Sequence, residues 1–149
     1  MATKPLHILL VEDDEVDAEA VVRAFRDKHI NNPLTIVTNG IEALQVLRGE
    51  NNKVPISLPY LILLDLNLPK MNGIEFLDHI RQDDKLKHSI IFVLTTSDRE
   101  SDKWAAYKHN VAGYMVKSKA GKNFVNVTKL LETYWRTVEF PSGGTYATS

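Results

Sequence analysis

The sequence contains no cysteine, so no disulfide framework holds the fold and no thiolate takes part in its chemistry. Neither sign of charge is in excess: 18 Lys and Arg stand against 19 Asp and Glu, a net charge of −1. Nothing in that total points to nucleic acid or a membrane surface as a partner. No apolar run approaches the roughly 18 residues of a membrane span. One Lys precedes a short apolar run that meets Glu12-Asp13-Asp14, which is no signal peptide. Internal repeats and low-complexity segments are missing as well. These exclusions leave the expectation of a cytoplasmic protein, soluble and without a membrane or nucleic-acid partner. Its 149 residues suit one domain with a real core.

What is present is an alternation of short apolar runs and amphipathic stretches. Leu61-Ile62-Leu63-Leu64 is bounded by Pro59 and Pro69 and reads as a strand buried on both faces. Residues 6–11, 34–38, 90–94 and 111–116 read as further strands. Between them, Ala18, Val21, Val22 and Phe25 mark one helix face within residues 15–28. Ala43, Leu44 and Leu47 mark a second, ended by Gly49. Phe76, Leu77 and Ile80 mark a third, a weakly amphipathic stretch at 98–110 a fourth, and residues 122–136 a fifth. Five strands alternating with helices predict an α/β fold, a parallel sheet with helices on both faces. The flavodoxin-like strand order 2-1-3-4-5 follows as the expectation.

In such a sheet, ligands bind at the carboxyl ends of the strands. Strand one delivers Glu12 and Asp13 there, strand three Asp65, strand four Thr95 and strand five Lys117. Singly, each has an ordinary reading: an acid that ends a strand or starts a helix, a strand-end threonine, a solvated lysine. As a set on one edge they make a site. In the order 2-1-3-4-5 strands one and three are neighbours, so their acids repel unless a cation intervenes. A hard divalent cation, Mg2+, suits three carboxylates and the backbone carbonyl of Asn67. A carboxylate beside Mg2+ and a lysine is a place to accept a phosphoryl group, with Asp65 as nucleophile. Thr95 would bond that group afterwards.

The set resembles the receiver domain of two-component response regulators. The likeness rests on Ile8-Leu9-Leu10-Val11-Glu12-Asp13-Asp14, Leu63-Leu64-Asp65-Leu66-Asn67-Leu68-Pro69 with Asn72-Gly73, Val93-Leu94-Thr95-Thr96 and Gly113-Tyr114-Met115-Val116-Lys117. It spans about residues 5–136 and implies a receiver domain over residues 1–140 with a flexible tail at 141–149. It implies Asp65 as phosphoacceptor and Glu12 and Asp13 as the acidic pair of the Mg2+ site. Asn67 would lend its carbonyl, Thr95 would be the switch hydroxyl, Lys117 the phosphoryl-binding lysine and Tyr114 the switch aromatic. Receivers usually carry a cis proline after that lysine. Here Ser118 follows, and a cis bond to a non-proline residue costs about 3–4 kcal/mol, so the loop at 117–121 is expected to differ. The phrase Leu-Asp-Leu-Asn-Leu-Pro-Lys and the ending Tyr134-Trp135-Arg136-Thr137-Val138-Glu139-Phe140-Pro141 look like the small single-domain regulators that partner phytochrome histidine kinases.

Two other classes fit less well. Aspartyl phosphatases place a second Asp two residues after the first, where this chain has Asn67. A flavin or nucleotide carrier needs a phosphate cradle after strand one, where Glu12-Asp13-Asp14 would repel it. The expectation is therefore no enzyme acting on a separate substrate, but a receiver that catalyses only its own phosphorylation and dephosphorylation. None of the five histidines reads as a phosphodonor, so the donor is expected on a sensor histidine kinase or phosphotransfer protein. With no DNA-binding segment after the receiver, output is expected through protein binding or return of the phosphoryl group. On the last helix, Phe124, Val127, Leu131 and Tyr134 suffice to cover the sheet. Leu130, Trp135, Val138 and Phe140 are left over, which predicts an apolar patch and a homodimer through the C-terminal helix.

Overall fold

Local signals set where the first three helices start, each at the carboxyl end of the strand before it. In the computed structural model, which describes residues 5–141, the strands are β1 (His7–Val11), β2 (Leu34–Val37), β3 (Tyr60–Leu64), β4 (Ile90–Thr95) and β5 (Gly113–Val116). The helices are α1 (Glu15–Asp27), α2 (Gly40–Arg48), α3 (Gly73–Gln82), α4 (Glu100–Lys108) and α5 (Val125–Thr137). Asp14 caps α1 by accepting the Asp17 N–H, and Asn39 caps α2 through Glu42. Asn72 and Glu75 cap α3 reciprocally. Each such cap is worth about 1 kcal/mol. Gly49, at φ 69°, closes α2 in the left-handed region that favours glycine.

The sheet is parallel with the order β2-β1-β3-β4-β5, as expected. β3 is central and buried at every residue. Its side chains alternate between two layers, as the two-residue period of a strand requires. Ile62 and Leu64 join Leu9, Val11, Ile91 and Val93 under Leu44, Leu47, Phe76, Leu77 and Ile80 of α2 and α3. Leu61 and Leu63 join Ile8, Leu10, Phe92 and Leu94 under Val21 and Phe25 of α1 and Val127 and Leu131 of α5. Apolar runs without alternation are the sequence consequence of this double coverage.

Three elements start two or three residues later than expected. β5 begins at Gly113 rather than 111, after Asn110 takes φ 59°. α4 begins at Glu100 rather than 98, and its N-cap residue Arg99 makes no side-chain cap. α5 begins at Val125 rather than 122, because Asn123 and Phe124 hold φ of 53° and 56° and interrupt the helix there. Trp135 and Phe140 also depart from the expected exposed patch, while Tyr134 covers the sheet as expected. Trp135 packs edge-on against Phe25 at 6.2 Å, Tyr134 against Phe92 at 5.1 Å, and Phe140 lies 6.1 Å from Tyr134. Each such pair adds about 0.5–1.5 kcal/mol beyond area burial, which is why the tail folds back onto its own domain. Leu130 and Val138 stay exposed. Of the expected tail, residues 142–149 lie outside the described residues. Among the described residues, no helix is long and apolar enough to cross a membrane.

Candidate functional site

The site lies where β1 and β3 end side by side. Val11 pairs with Leu64, so Glu12 and Asp65 leave the sheet as neighbours. The Asp65 N–H donates to the Val11 carbonyl at 3.0 Å. Both acids are buried, Glu12 at 3% and Asp65 at 5% exposure. The chain after Asp65 turns back tightly, with the Gly73 N–H on the Leu66 carbonyl at 3.0 Å. A Cβ on Gly73 would stand 2.7 Å from the Asp65 carbonyl oxygen, so only glycine lets α3 start this close to the Asp65 turn.

On the other side, Thr95 pairs with Val116, which puts Lys117 across from the acids. The Lys117 Nζ donates to Asp17 Oδ2 at 2.7 Å, Glu12 Oε1 at 2.8 Å and Asp65 Oδ2 at 3.0 Å. Its peptide bond to Ser118 is trans, since among the described residues the one cis peptide is Leu58–Pro59. Residues Lys117–Lys119 form a short 3-10 turn, and the lysine reaches Asp65 without a cis bond.

Three carboxylates share one ammonium here. Burial pushes the Glu12 carboxyl up to about 7; its hydrogen bond to Lys117 pulls it down and the charge of Asp65 raises it further. Burial works against the Lys117 ammonium, yet its bonds to Asp17, Glu12 and Asp65 outweigh that and raise its pKa above the ordinary lysine value. The Glu12 shift reflects its burial first, and the three carboxylates around a single ammonium leave the cluster formally short of positive charge.

Asp13 does not join this cluster. It is exposed and lines a shallow cleft with Asn67, Asn72, Arg99 and Asp102. Among the described residues, no group of three acidic or histidine side chains is arranged to hold a metal ion; Glu12 and Asp65 are drawn onto Lys117 instead. The donor chemistry nevertheless fits a hard cation: the groups are oxygen donors, and three carboxylates face a single ammonium.

Asn67 anchors the turn after Asp65 and reaches the end of β4. Its backbone N–H donates to Asp65 Oδ1 at 3.0 Å. Its side-chain amide donates to Thr96 Oγ1 at 3.0 Å and Thr95 Oγ1 at 3.4 Å. Thr95 is fully buried. The Tyr114 hydroxyl donates to the Ser97 carbonyl at 2.9 Å, two residues beyond Thr95 on the same loop. Roles for Thr96, Ser97 and Asp17 were not evident from the sequence. Asp17 had a signal: with Val21 and Ala24 it falls on one stripe of α1, an acid at the sheet end of a buried face.

A doubly wound parallel sheet with a buried aspartate at its switch point and a lysine bonded to it defines the flavodoxin-like α/β proteins with an acidic site at that edge. Within that class, the chain belongs to the response regulator receiver domain family, whose model matches residues 8–129. Receiver domains of this family serve two-component systems, are phosphorylated on an aspartate, and interact with histidine kinases or phosphotransfer proteins. The chain is 37% identical to response regulator Rcp1 of Synechocystis sp. over 93% of its length and 95% of the relative's. It superposes on the Mn(2+)-bound form of Rcp1 with a TM-score of 0.80, covering 93% of this chain and all of that one. The phosphorylated cyanobacterial phytochrome response regulator RcpA matches at 36% identity and a TM-score of 0.82, over 95% of this chain and all of that one. The probable methanogenesis regulatory protein FilR2 of Methanothrix harundinacea is 34% identical, over 90% of this chain and 86% of its own length.

Proposed function

We propose that Asp65 is the phosphoacceptor of a two-component phosphorelay. The observation that carries this is the Lys117 ammonium 3.0 Å from Asp65 Oδ2 with Glu12 beside it, at the switch point of the sheet. An Asp65 carboxylate oxygen attacks phosphorus and forms the acyl phosphate bond. The bond from phosphorus to the donor's imidazole nitrogen breaks, and the imidazole keeps the electron pair. Lys117 and the Asn67 N–H hold the carboxylate for attack, and Lys117 then binds a phosphoryl oxygen. Glu12, Asp13, Asp65 and the Asn67 carbonyl are the ligands we assign to Mg2+. When bound, the cation neutralises the acids and the equatorial oxygens of the transferring group. Support for a divalent cation comes from three carboxylates converging on one ammonium and from similarity to a protein crystallised with Mn(2+). Acetyl phosphate with Mg2+ is expected to add one phosphoryl group to the chain, read by intact mass, and none with a chelator present. Equal uptake in both would remove the cation; no uptake in either would remove the reading.

The signal passes through Thr95 and Tyr114. Thr95 moves toward the phosphoryl group, and the loop that carries Ser97 takes the Tyr114 hydroxyl with it. Two discrete packings of this pair are the physical requirement for a switch. The output face is α4, β5 and α5, where Trp104, Tyr107 and Leu130 are exposed and apolar enough for a protein partner. The donor is a sensor histidine kinase or phosphotransfer protein. Similarity to RcpA supports a phytochrome as that kinase.

The C-terminal helix and its C-cap residue also form the homodimer surface, now through Leu130 and Val138 rather than Trp135 and Phe140, which are half-buried against their own domain. Sedimentation at tens of micromolar is expected to give a dimer for the native chain and a monomer for Leu130→Glu. A native monomer, or a dimer in both, would sink this interface.

A further inference from the structure

The structure assigns Asp17 a place in the site: it is a positioning residue that holds the Lys117 ammonium over Asp65 from α1. This rests on the phosphoacceptor reading of Asp65. An ammonium has three N–H donors, and Lys117 spends all three on carboxylates from three different elements. Of these bonds the one to Asp17 is the shortest, 2.7 Å against 2.8 Å to Glu12 and 3.0 Å to Asp65. Lysine has a flexible four-carbon stem, so one or two partners would leave its nitrogen free to swing. Three partners, one just past β1, one on α1 and one just past β3, triangulate it.

Asp17 is built to be the fixed corner. Its own N–H donates to Asp14 Oδ1 at 3.0 Å, the cap that starts α1, so its backbone is pinned where the helix meets the sheet edge. An ordinary surface ion pair contributes little, but here the Lys117 side chain is 8% exposed and the Asp17 side chain 27%, so the pair is half-buried on one side and buried on the other. The other two carboxylates have further work. Asp65 takes the phosphoryl group, and Glu12 is assigned to the cation. Once the phosphoryl group arrives, one of its oxygens replaces Asp65 Oδ2 as an acceptor of Lys117. Asp17 is then the carboxylate with no competing duty, and it keeps the nitrogen aimed.

The test has two arms. In the first, which needs no phosphorylation, urea unfolding is followed for wild type, Asp17→Ala, Lys117→Met and the double variant. Asp17→Ala is expected to lower the midpoint in the wild-type background and to leave it unchanged or raise it in the Lys117→Met background. An equal drop in both backgrounds would mean that Asp17 does not act through Lys117 and would overturn the proposal. In the second arm, the rate of phosphorylation by acetyl phosphate is measured at saturating Mg2+. Asp17→Ala is expected to slow it about tenfold, the scale of a small misplacement of a catalytic group. Asp17→Asn, which keeps a carbonyl acceptor for the ammonium, recovers most of the rate, and Asp17→Ala adds no slowing to Lys117→Met. The Mg2+ affinity stays that of wild type. A rate within about twofold of wild type for Asp17→Ala would overturn the assignment. So would a parallel loss of Mg2+ affinity, which would make Asp17 a metal ligand. If wild type itself takes up no phosphoryl group, the phosphoacceptor reading fails while the first arm still reports on the Asp17–Lys117 pair.

Discussion

An Asp65→Asn chain is expected to take up no phosphoryl group from acetyl phosphate under conditions that phosphorylate wild type fully, a loss of roughly a thousandfold or more in rate. The amide is close to the carboxylate in shape, so the fold survives. Its oxygen still accepts the Asn67 N–H that now bonds Asp65 Oδ1. What changes is chemistry. An amide oxygen is a poor nucleophile, and the amide NH2, placed where Oδ2 stood, would face the Lys117 ammonium donor to donor. Lys117 then turns toward Glu12 and Asp17, away from the reacting position. Intact mass and peptide mapping decide the outcome, with circular dichroism as the control for folding. Stable phosphorylation of the Asp65→Asn chain at the substituted position, to the wild-type level, would refute Asp65 as acceptor. Transfer to Asp13 or Asp17 in the variant would show only that the site activates whichever carboxylate it reaches.

Much of this site was legible because it stands at strand ends, and strand ends are what apolar runs show best. Leu61 to Leu64 ends at Asp65, and residues 8–11 end at Glu12; once the strand order is 2-1-3-4-5, these two must be adjacent. The order itself followed from repeated strand and helix alternation, since parallel neighbours need crossover helices. Side-chain choice among nearby partners was not legible. Nothing in the sequence says that Lys117 binds Asp17, one hundred residues away, or that Glu12 and Asp65 lean toward the lysine while Asp13 remains outside. The late start of α5 was hidden too. Asn123 and Phe124 have no glycine signal, and their positive φ is imposed by the surrounding fold. Trp135 and Phe140 were misjudged for a related reason: helical periodicity counts residues on a face, but Trp135 reaches around that face to Phe25. Burial of a long aromatic depends on its neighbour's position, which periodicity does not carry.

The same crowding of charge predicts how stability varies with pH. Glu12 is pushed from 4.5 to about 7 in the folded chain, so between those values the folded state holds a proton that the unfolded state releases. The stability this contributes is fully present below about 4.5 and is lost as pH rises through about 7, at most about 3 kcal/mol in all. Lys117 limits the loss. Its own raised pKa means that its contribution is present throughout the neutral range and fades only in strong alkali. Replacing Lys117 with Met leaves three carboxylates without a counter-charge and drives Glu12 higher still, because the bond that lowered it is gone. Lys117→Met is therefore expected to unfold with about 2–4 kcal/mol less free energy than wild type near pH 8. Near pH 5, where Glu12 is protonated in either chain, the part of that deficit due to Glu12 should vanish. In Glu12→Gln the slope between these two pH values should flatten, since the group that titrates has been removed. Urea unfolding of the three chains at both pH values measures it. A Lys117→Met deficit of the same size at both would mean that packing of the lysine stem, and not the charge it neutralises, is what the side chain supplies.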